Sequence, residues 1–80
     1  MSERELMGTV IGSFTYHATI AMPDGRSFQV PNSALEDGGN NAFVLRPDAK
    51  IEHVFPTPKY GNGPSVAVPV VVLDRLLSWH

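Results

Sequence analysis

Glycine and proline interrupt this chain at short intervals, and that punctuation limits the length of any regular element. There are seven of each among 80 residues, and only 18% of the residues are charged. Proline cannot donate a hydrogen bond to a sheet ladder, and glycine supplies the positive φ angles that tight turns need. The pattern therefore predicts many short strands joined by turns, as in a small β-barrel or β-sandwich.

Apolar and polar residues alternate in the runs between these breaks, as they do in half-buried strands. The clearest case follows Tyr16, where Ala18 and Ile20 point one way while His17 and Thr19 point the other. A Pro-Asp-Gly sequence at 23–25 then predicts a hairpin turn. The predicted strands are 8–14, 16–22, 26–30, 51–55 and 66–72, with a single helical turn at 33–36 and a short closing helix from 74 to 80.

The length allows one domain, because a chain this short needs most of its apolar residues for a single core. We expect a barrel over 5–73 and a helical appendix over 74–80. The absence of cysteine excludes a disulfide framework, a cysteine zinc site and a thiol nucleophile. The longest apolar run, 70–73, is too short to cross a bilayer, and the N-terminus lacks signal-peptide features. We therefore expect a cytoplasmic protein with no membrane partner.

Five short segments carry a resemblance that covers most of the chain. They are Gly8-Thr9-Val10, Pro23-Asp24-Gly25, 28–35 (Phe-Gln-Val-Pro-Asn-Ser-Ala-Leu), 45–52 (Leu-Arg-Pro-Asp-Ala-Lys-Ile-Glu) and 63–68 (Gly-Pro-Ser-Val-Ala-Val). Together they resemble the small OB-fold proteins of the cold-shock and translation initiation factor one group. The resemblance implies an all-β fold, a five-stranded OB-type barrel with a short C-terminal helix, that binds single-stranded RNA or DNA.

The chain departs from that group at the aromatic positions. A cold-shock protein would carry a Lys-Gly-Phe-Gly-Phe motif on its second strand and a Phe-Val-His motif on its third, and those rings stack on bases. Here 15–19 read Thr-Tyr-His-Ala-Thr, and 29–31 read Gln-Val-Pro. Most of the stacking platform that the resemblance implies is therefore missing.

The first functional prediction is a small module that binds single-stranded RNA or DNA. The alternation places His17 outward, where its flat ring could stack on a base. Lys59 would supply charge and Tyr60 an exposed stacking surface, whereas Phe28 and Phe55 are assigned to the core. The predicted nucleic-acid contacts are His17, Thr19, Arg26, Gln29, Lys59 and Tyr60.

The charge balance favours a different class, a protein-binding adaptor or inhibitor that keeps the barrel. The net charge is −2, and the basic residues are dispersed along the sequence. Its contacts would be Leu76, Leu77 and Trp79 in an apolar tail that suits a protein partner or a homodimer. Convergence of the basic side chains on the His17 face would favour nucleic acid, whereas scattered charges and an exposed tail favour a protein. The basic side chains in question are Arg26, Arg46, Lys50 and Lys59.

Motifs of catalysis are absent from the sequence. There is no Gly-x-Ser-x-Gly elbow, and Gly61-Asn62-Gly63 lacks the Lys-Ser/Thr of a phosphate-binding loop. The three histidines, His17, His53 and His80, are not spaced as local metal ligands. We therefore expect no enzymatic activity, no cofactor and no metal.

Overall fold

The computed structural model describes residues 5–13, 16–57 and 59–79. Within this part of the chain, a mostly β architecture with one short C-terminal helix is confirmed. Phe14 and His80 belong to predicted elements but lie outside the described residues, as does Thr15 between the first two predicted strands. The elements in chain order are β1 (Glu5–Ser13), β2 (His17–Ala21), β3 (Ser27–Pro31), a 3₁₀ turn (Asn32–Ala34), β4 (Leu35–Gly39), β5 (Ala42–Leu45), β6 (His53–Val54), β7 (Ser65–Pro69) and α1 (Val70–Leu77).

All seven strands belong to one sheet, whose order is β4-β5-β7-β1-β2-β3-β6. Neighbouring strands run antiparallel except β5 and β7, which pair in parallel. The sheet therefore has two strands more than the five predicted, namely β4 and β5. It is open in this order, since β4 and β6 at its ends are not paired with each other in the described part of the chain.

The hairpin between β2 and β3 forms where the Pro-Asp-Gly sequence predicted it. Gly25 adopts a φ of 97°, a conformation that costs glycine little. The Met22 N–H donates to the Arg26 carbonyl at 2.7 Å, and the Gly25 N–H donates back to the Met22 carbonyl at 3.0 Å. Local sequence thus suffices to fix this turn and the register of the strands that it joins.

The hairpin of β4 and β5 replaces the predicted helical turn at 33–36. A 3₁₀ turn does form, but it ends at Ala34, and Leu35 starts a strand because its side chain packs against the core. Asn40 and Asn41 make the two-residue connection with φ angles of 54° and 59°. Asparagine tolerates this left-handed conformation, which two-residue hairpin turns favour.

The C-terminal helix begins at Val70 instead of residue 74, so the prediction of a strand through Val72 is wrong. Pro69 ends β7 and precedes the helix, where its fixed φ of −65° and missing N–H disturb neither element. Val72, Leu73 and Leu76 follow at helical spacing, and all three are buried in the core. Burial of that stripe outweighs the β propensity of the valines.

The core fills one side of the sheet beneath α1. The prediction that Phe28 is a core residue is confirmed, but Phe55 is half-buried and lies outside the core cluster. The reason is register: Phe28 pairs with Val54 of β6, so Val54 packs against the core and the adjacent Phe55 does not. The fully buried apolar residues are Ala18, Ile20, Phe28, Val30, Leu45, Val66, Val68 and Val72.

The residues 55–57 and 59–64, here called the crossover segment, lie between β6 and β7 in the chain. The Lys59 N–H donates to the Ser27 hydroxyl at 3.1 Å on the side of β3 that faces away from the core. At its other end, the Val10 N–H donates to the Pro64 carbonyl at 2.9 Å. The segment therefore crosses from β3 to β1 on the outer side of the sheet. Gly63 makes the closest approach, since a Cβ there would lie 1.9 Å from the Val10 carbonyl oxygen.

Candidate functional site

The outer face of β2 and β3 is not the free polar surface that the alternation predicted. Thr19 is only 6% exposed, and Ser27 is fully buried. Alternation does turn both side chains away from the core, but the crossover segment passes over this face and bonds to Ser27. Thr19, a predicted nucleic-acid contact, is therefore almost fully buried in the folded protein.

His17 is half-exposed at the first residue of β2, and its ring contacts a carboxylate. The His17 Nε2 atom lies 2.6 Å from Oε2 of Glu52. The Glu52 N–H donates in turn to the Gln29 carbonyl at 2.8 Å, which fixes Glu52 beside β3. A carboxylate at this position repels a phosphate group. Gln29 itself is half-buried between Thr19 and His53 in the sheet register.

Arg26 lies at the opposite end of this strand pair, where it is held by the turn. Its Nε donates to Oδ2 of Asp24 at 2.6 Å, and its N–H donates to Oδ1 of the same carboxylate at 3.0 Å. These bonds, the backbone one first, hold the pKa of Asp24 below its usual value. His17 pairs with Pro31 in the register and Ser27 with Ala21, so Arg26 and His17 do not share a site.

Lys59 and Tyr60 lie next to a small aromatic cluster on the crossover segment. The Lys59 Nζ atom is 5.0 Å from the centroid of the Phe55 ring, within range of a cation–π contact. The rings of His53 and Phe55 meet edge to face with their centroids 4.8 Å apart. Tyr60 is 78% exposed, which confirms its predicted accessibility.

Two further arginines bind groups of the protein. Arg46 lies 3.1 Å from a carboxylate oxygen of Asp48 and 3.8 Å from one of Glu36. Arg75 donates to the carbonyls of Pro47 and Ala49 at 2.7 and 2.9 Å. Three arginines, Arg26, Arg46 and Arg75, are therefore already paired with a carboxylate or hydrogen-bonded to backbone carbonyls.

The three residues predicted to contact a protein partner occupy three different environments. Leu76 is 6% exposed and belongs to the core instead of to an exposed apolar tail. It lies one helical turn after Val72 on the buried stripe, whereas the adjacent Leu77 is turned outward and is 71% exposed. Trp79 is partly exposed on another flank, beside Arg75, where both line a depression.

Further apolar side chains, missed by the sequence reasoning, are exposed next to Leu77. Val70 and Val71 are exposed at the start of α1, and Val70 lies seven residues before Leu77, on the same side of the helix. Leu6 is half-exposed on β1, opposite Val68, which immediately precedes Pro69 and the helix. We call Leu6, Val70, Val71 and Leu77 the α1 surface. A signal did exist, because three consecutive valines must expose an apolar side chain in either a helix or a one-sided strand.

A separate shallow pocket of about 530 Å³ lies between β1, the β4–β5 hairpin and the end of the crossover segment. Its walls combine apolar side chains with two amides, and no titratable side chain lines it. The residues that line the pocket are Val10, Ile11, Gly12, Asn32, Leu35, Phe43, Asn62, Gly63 and Pro64. Without a titratable group, this pocket offers no general acid or base.

The described residues also lack a metal-binding cluster and a helix that could span a membrane. No three His, Asp or Glu side chains of those residues group in a way that could hold a metal ion. The eight residues of α1 are too few to cross a membrane, and no other described helix is long and apolar enough to do so.

No protein family, curated protein or solved structure matches this chain.

Proposed function

We propose that this chain is a non-enzymatic protein-binding module that docks its partner on the α1 surface. The observation that carries the proposal is the exposure of Val70, Val71 and Leu77 on a helix whose other face is committed to the core. Leu6 extends the same apolar area onto the sheet. Contiguous exposed apolar side chains of this kind are typical of protein interaction sites.

The identity of the exposed residues supports this proposal. Valine is a poor helix former because its branched Cβ restricts the side-chain rotamer, so Val70 and Val71 do not stabilise α1 locally. Exposed as they are, they also gain little from the hydrophobic effect of folding. A partner that covers them would recover that gain, at about 25 cal/mol for each Å² of apolar surface removed from water.

The distribution of charge supports a protein partner over a polyanion. Arg26 and Arg46 are paired with carboxylates, and His17 contacts Glu52. Binding of nucleic acid gains most of its affinity from cations that neutralise phosphates. Phosphate contacts by Arg26 or Arg46 would therefore compete with the carboxylates that these arginines already contact.

Single-stranded nucleic acid is the second candidate ligand, on the OB-type barrel that the sequence resemblance implies. One observation favours it: Tyr60 is exposed next to Lys59, so a stacking surface and a cation are adjacent on the crossover segment. Base stacking on an aromatic ring contributes about 1–3 kcal/mol in single-strand binding sites. This candidate would use Lys59 and Tyr60 and leave the α1 surface free.

Photo-crosslinking separates the two candidates, because each has one highly exposed residue. A benzophenone amino acid is introduced at Leu77 in one variant and at Tyr60 in a matched variant, since the two positions are similarly exposed. Both full-length variants are irradiated in extracts of the source cells. We expect a discrete protein adduct from position 77 and none from position 60.

The specificity of the adduct is then checked with a second substitution on the same surface. Val71→Ser should abolish the adduct from position 77 while the protein remains folded by circular dichroism. An adduct that persists in this variant, or the absence of any protein adduct at position 77, would contradict the proposal. A nuclease-sensitive adduct from position 60 would instead favour the nucleic-acid candidate.

A further inference from the structure

The α1 surface carries an acidic group that specifies the chemistry of what binds it. Asp74 lies between Val70 and Leu77 on the exposed side of α1, four residues after the first and three before the second. Glu5 is also exposed, but it pairs with Pro69 on β1 and points to the opposite side of that strand from Leu6. Neither carboxylate has a hydrogen-bond or ion-pair partner among the described residues.

The cation next in sequence does not neutralise this surface. Arg75 is turned toward the loop at 46–50, where its guanidinium donates to the carbonyls of Pro47 and Ala49. The α1 surface is therefore apolar, with the Asp74 carboxylate at its centre unpaired among the described residues. A partner that buries it must supply a cation opposite Asp74, because an unpaired buried carboxylate costs several kcal/mol.

The same charge disfavours a second copy of this chain as the partner. In a two-fold symmetric dimer, the same patch meets itself. Asp74 lies at the middle of the eight-residue helix, so antiparallel packing of two α1 helices would place the two Asp74 carboxylates close together. That like-charge contact opposes the association.

We propose that the partner is a basic amphipathic helix, a proposal that rests on the proposed function. Its apolar face would pack on Val70, Val71 and Leu77, and a Lys or Arg on that face would pair with Asp74. A helix fits because α1 satisfies its own backbone hydrogen bonds and therefore presents side-chain ridges instead of a strand edge. The length of α1, about 12 Å, corresponds to roughly two turns of contact.

A displayed library of 18-residue amphipathic helices tests this proposal without assuming a sequence. The residues of the apolar face are randomised among apolar, acidic, basic and amide side chains. Selection uses the full-length protein, and counter-selection with Leu77→Ser removes peptides that bind elsewhere. We expect at least fivefold more Lys and Arg than Asp and Glu among the randomised positions of the enriched peptides.

Individual peptides are then titrated against charge variants by fluorescence anisotropy. Asp74→Asn should weaken the binding of the selected peptides about fivefold, while Glu36→Gln, at an exposed carboxylate on β4, should change it less than twofold. Circular dichroism and thermal melting confirm that each variant is folded.

The possible failures of the two proposals are distinct. Peptides that lose binding to Leu77→Ser but show no preference for cations, or that bind Asp74→Asn unchanged, would overturn the basic partner and leave the docking surface in place. Failure to enrich any Leu77-dependent peptide would overturn both. Sedimentation equilibrium adds one outcome: a dimer that Leu77→Ser dissociates would show that the surface binds a second copy instead.

Discussion

The stability of the β2–β3 hairpin depends on pH, because Asp24 accepts two hydrogen bonds from Arg26. Because the pKa of Asp24 is lowered in the folded protein, the ionised form favours folding. Its contribution is therefore fully present above the ordinary value of 3.8 and is lost as the pH falls through the folded pKa. The carboxylate is half-exposed, so solvent screening limits the contribution to less than about 1 kcal/mol.

Substitution of this residue checks the sign of that effect. We expect Asp24→Asn to lower the free energy of unfolding at neutral pH by less than about 1 kcal/mol, because the ion pair is lost. As the pH falls through the folded pKa of Asp24, the difference in urea midpoint between the variant and the parent should shrink. A difference that grows toward low pH would contradict the assignment.

Gly63 is required by the closeness of two backbones. A Cβ at this position would lie 1.9 Å from the Val10 carbonyl oxygen, which no rotamer change can relieve. Gly63→Ala should therefore displace the crossover segment from β1 and destabilise the fold by about 1–3 kcal/mol in urea unfolding.

Gly61 is the matched control on the same segment. A Cβ there would lie 3.3 Å from side-chain atoms of Ile11, which can shift slightly. We expect Gly61→Ala to cost less than about 1 kcal/mol. Equal losses for the two variants would show that the tight contact with β1 is not the cause.

At the scale of elements, two adjacent valines of α1 differ in burial, so one should affect the stability of the fold and the other only the binding of a partner. Val72 is fully buried, so Val72→Ala should lower the free energy of unfolding by about 2 kcal/mol. Val71 is exposed and alanine is the better helix former, so Val71→Ala should be neutral or stabilise the protein by about 0.5 kcal/mol. Thermal and urea unfolding measure both, and a large loss in Val71→Ala would remove that residue from the α1 surface.

The elements also show where local pattern ceases to determine structure. The hairpin at Gly25 was predictable because its turn residues and the alternation around it favour one register. The start of the C-terminal helix was not, since Val70 and Val72 continue the alternation of β7 and favour a strand by propensity. Only the position of the core, which α1 covers with Val72 and Leu76, decides between the two.

For the whole molecule, the pairing of cations predicts weak affinity for nucleic acid. We expect labelled single-stranded RNA and DNA oligomers to show no saturable binding at about 0.15 M salt, where exposed charges are screened. Fluorescence anisotropy measures this, with His17→Ala and Lys59→Ala as variants. Saturable binding that Lys59→Ala weakens would overturn the preference for a protein partner.

The sequence by itself determined which side chains share a face of a strand, the position of the β2–β3 turn and the mostly β character of the protein. These follow from alternation and turn chemistry, which act over a few residues. It also identified Tyr60 as exposed, whereas it did not separate the exposed Leu77 from the buried Leu76. The tertiary structure alone decided which side chains stay exposed: Thr19 is buried although it points away from the core, and Leu76 turns from α1 into the core. Burial depends on contacts between distant parts of the chain, and a local sequence pattern does not determine those contacts.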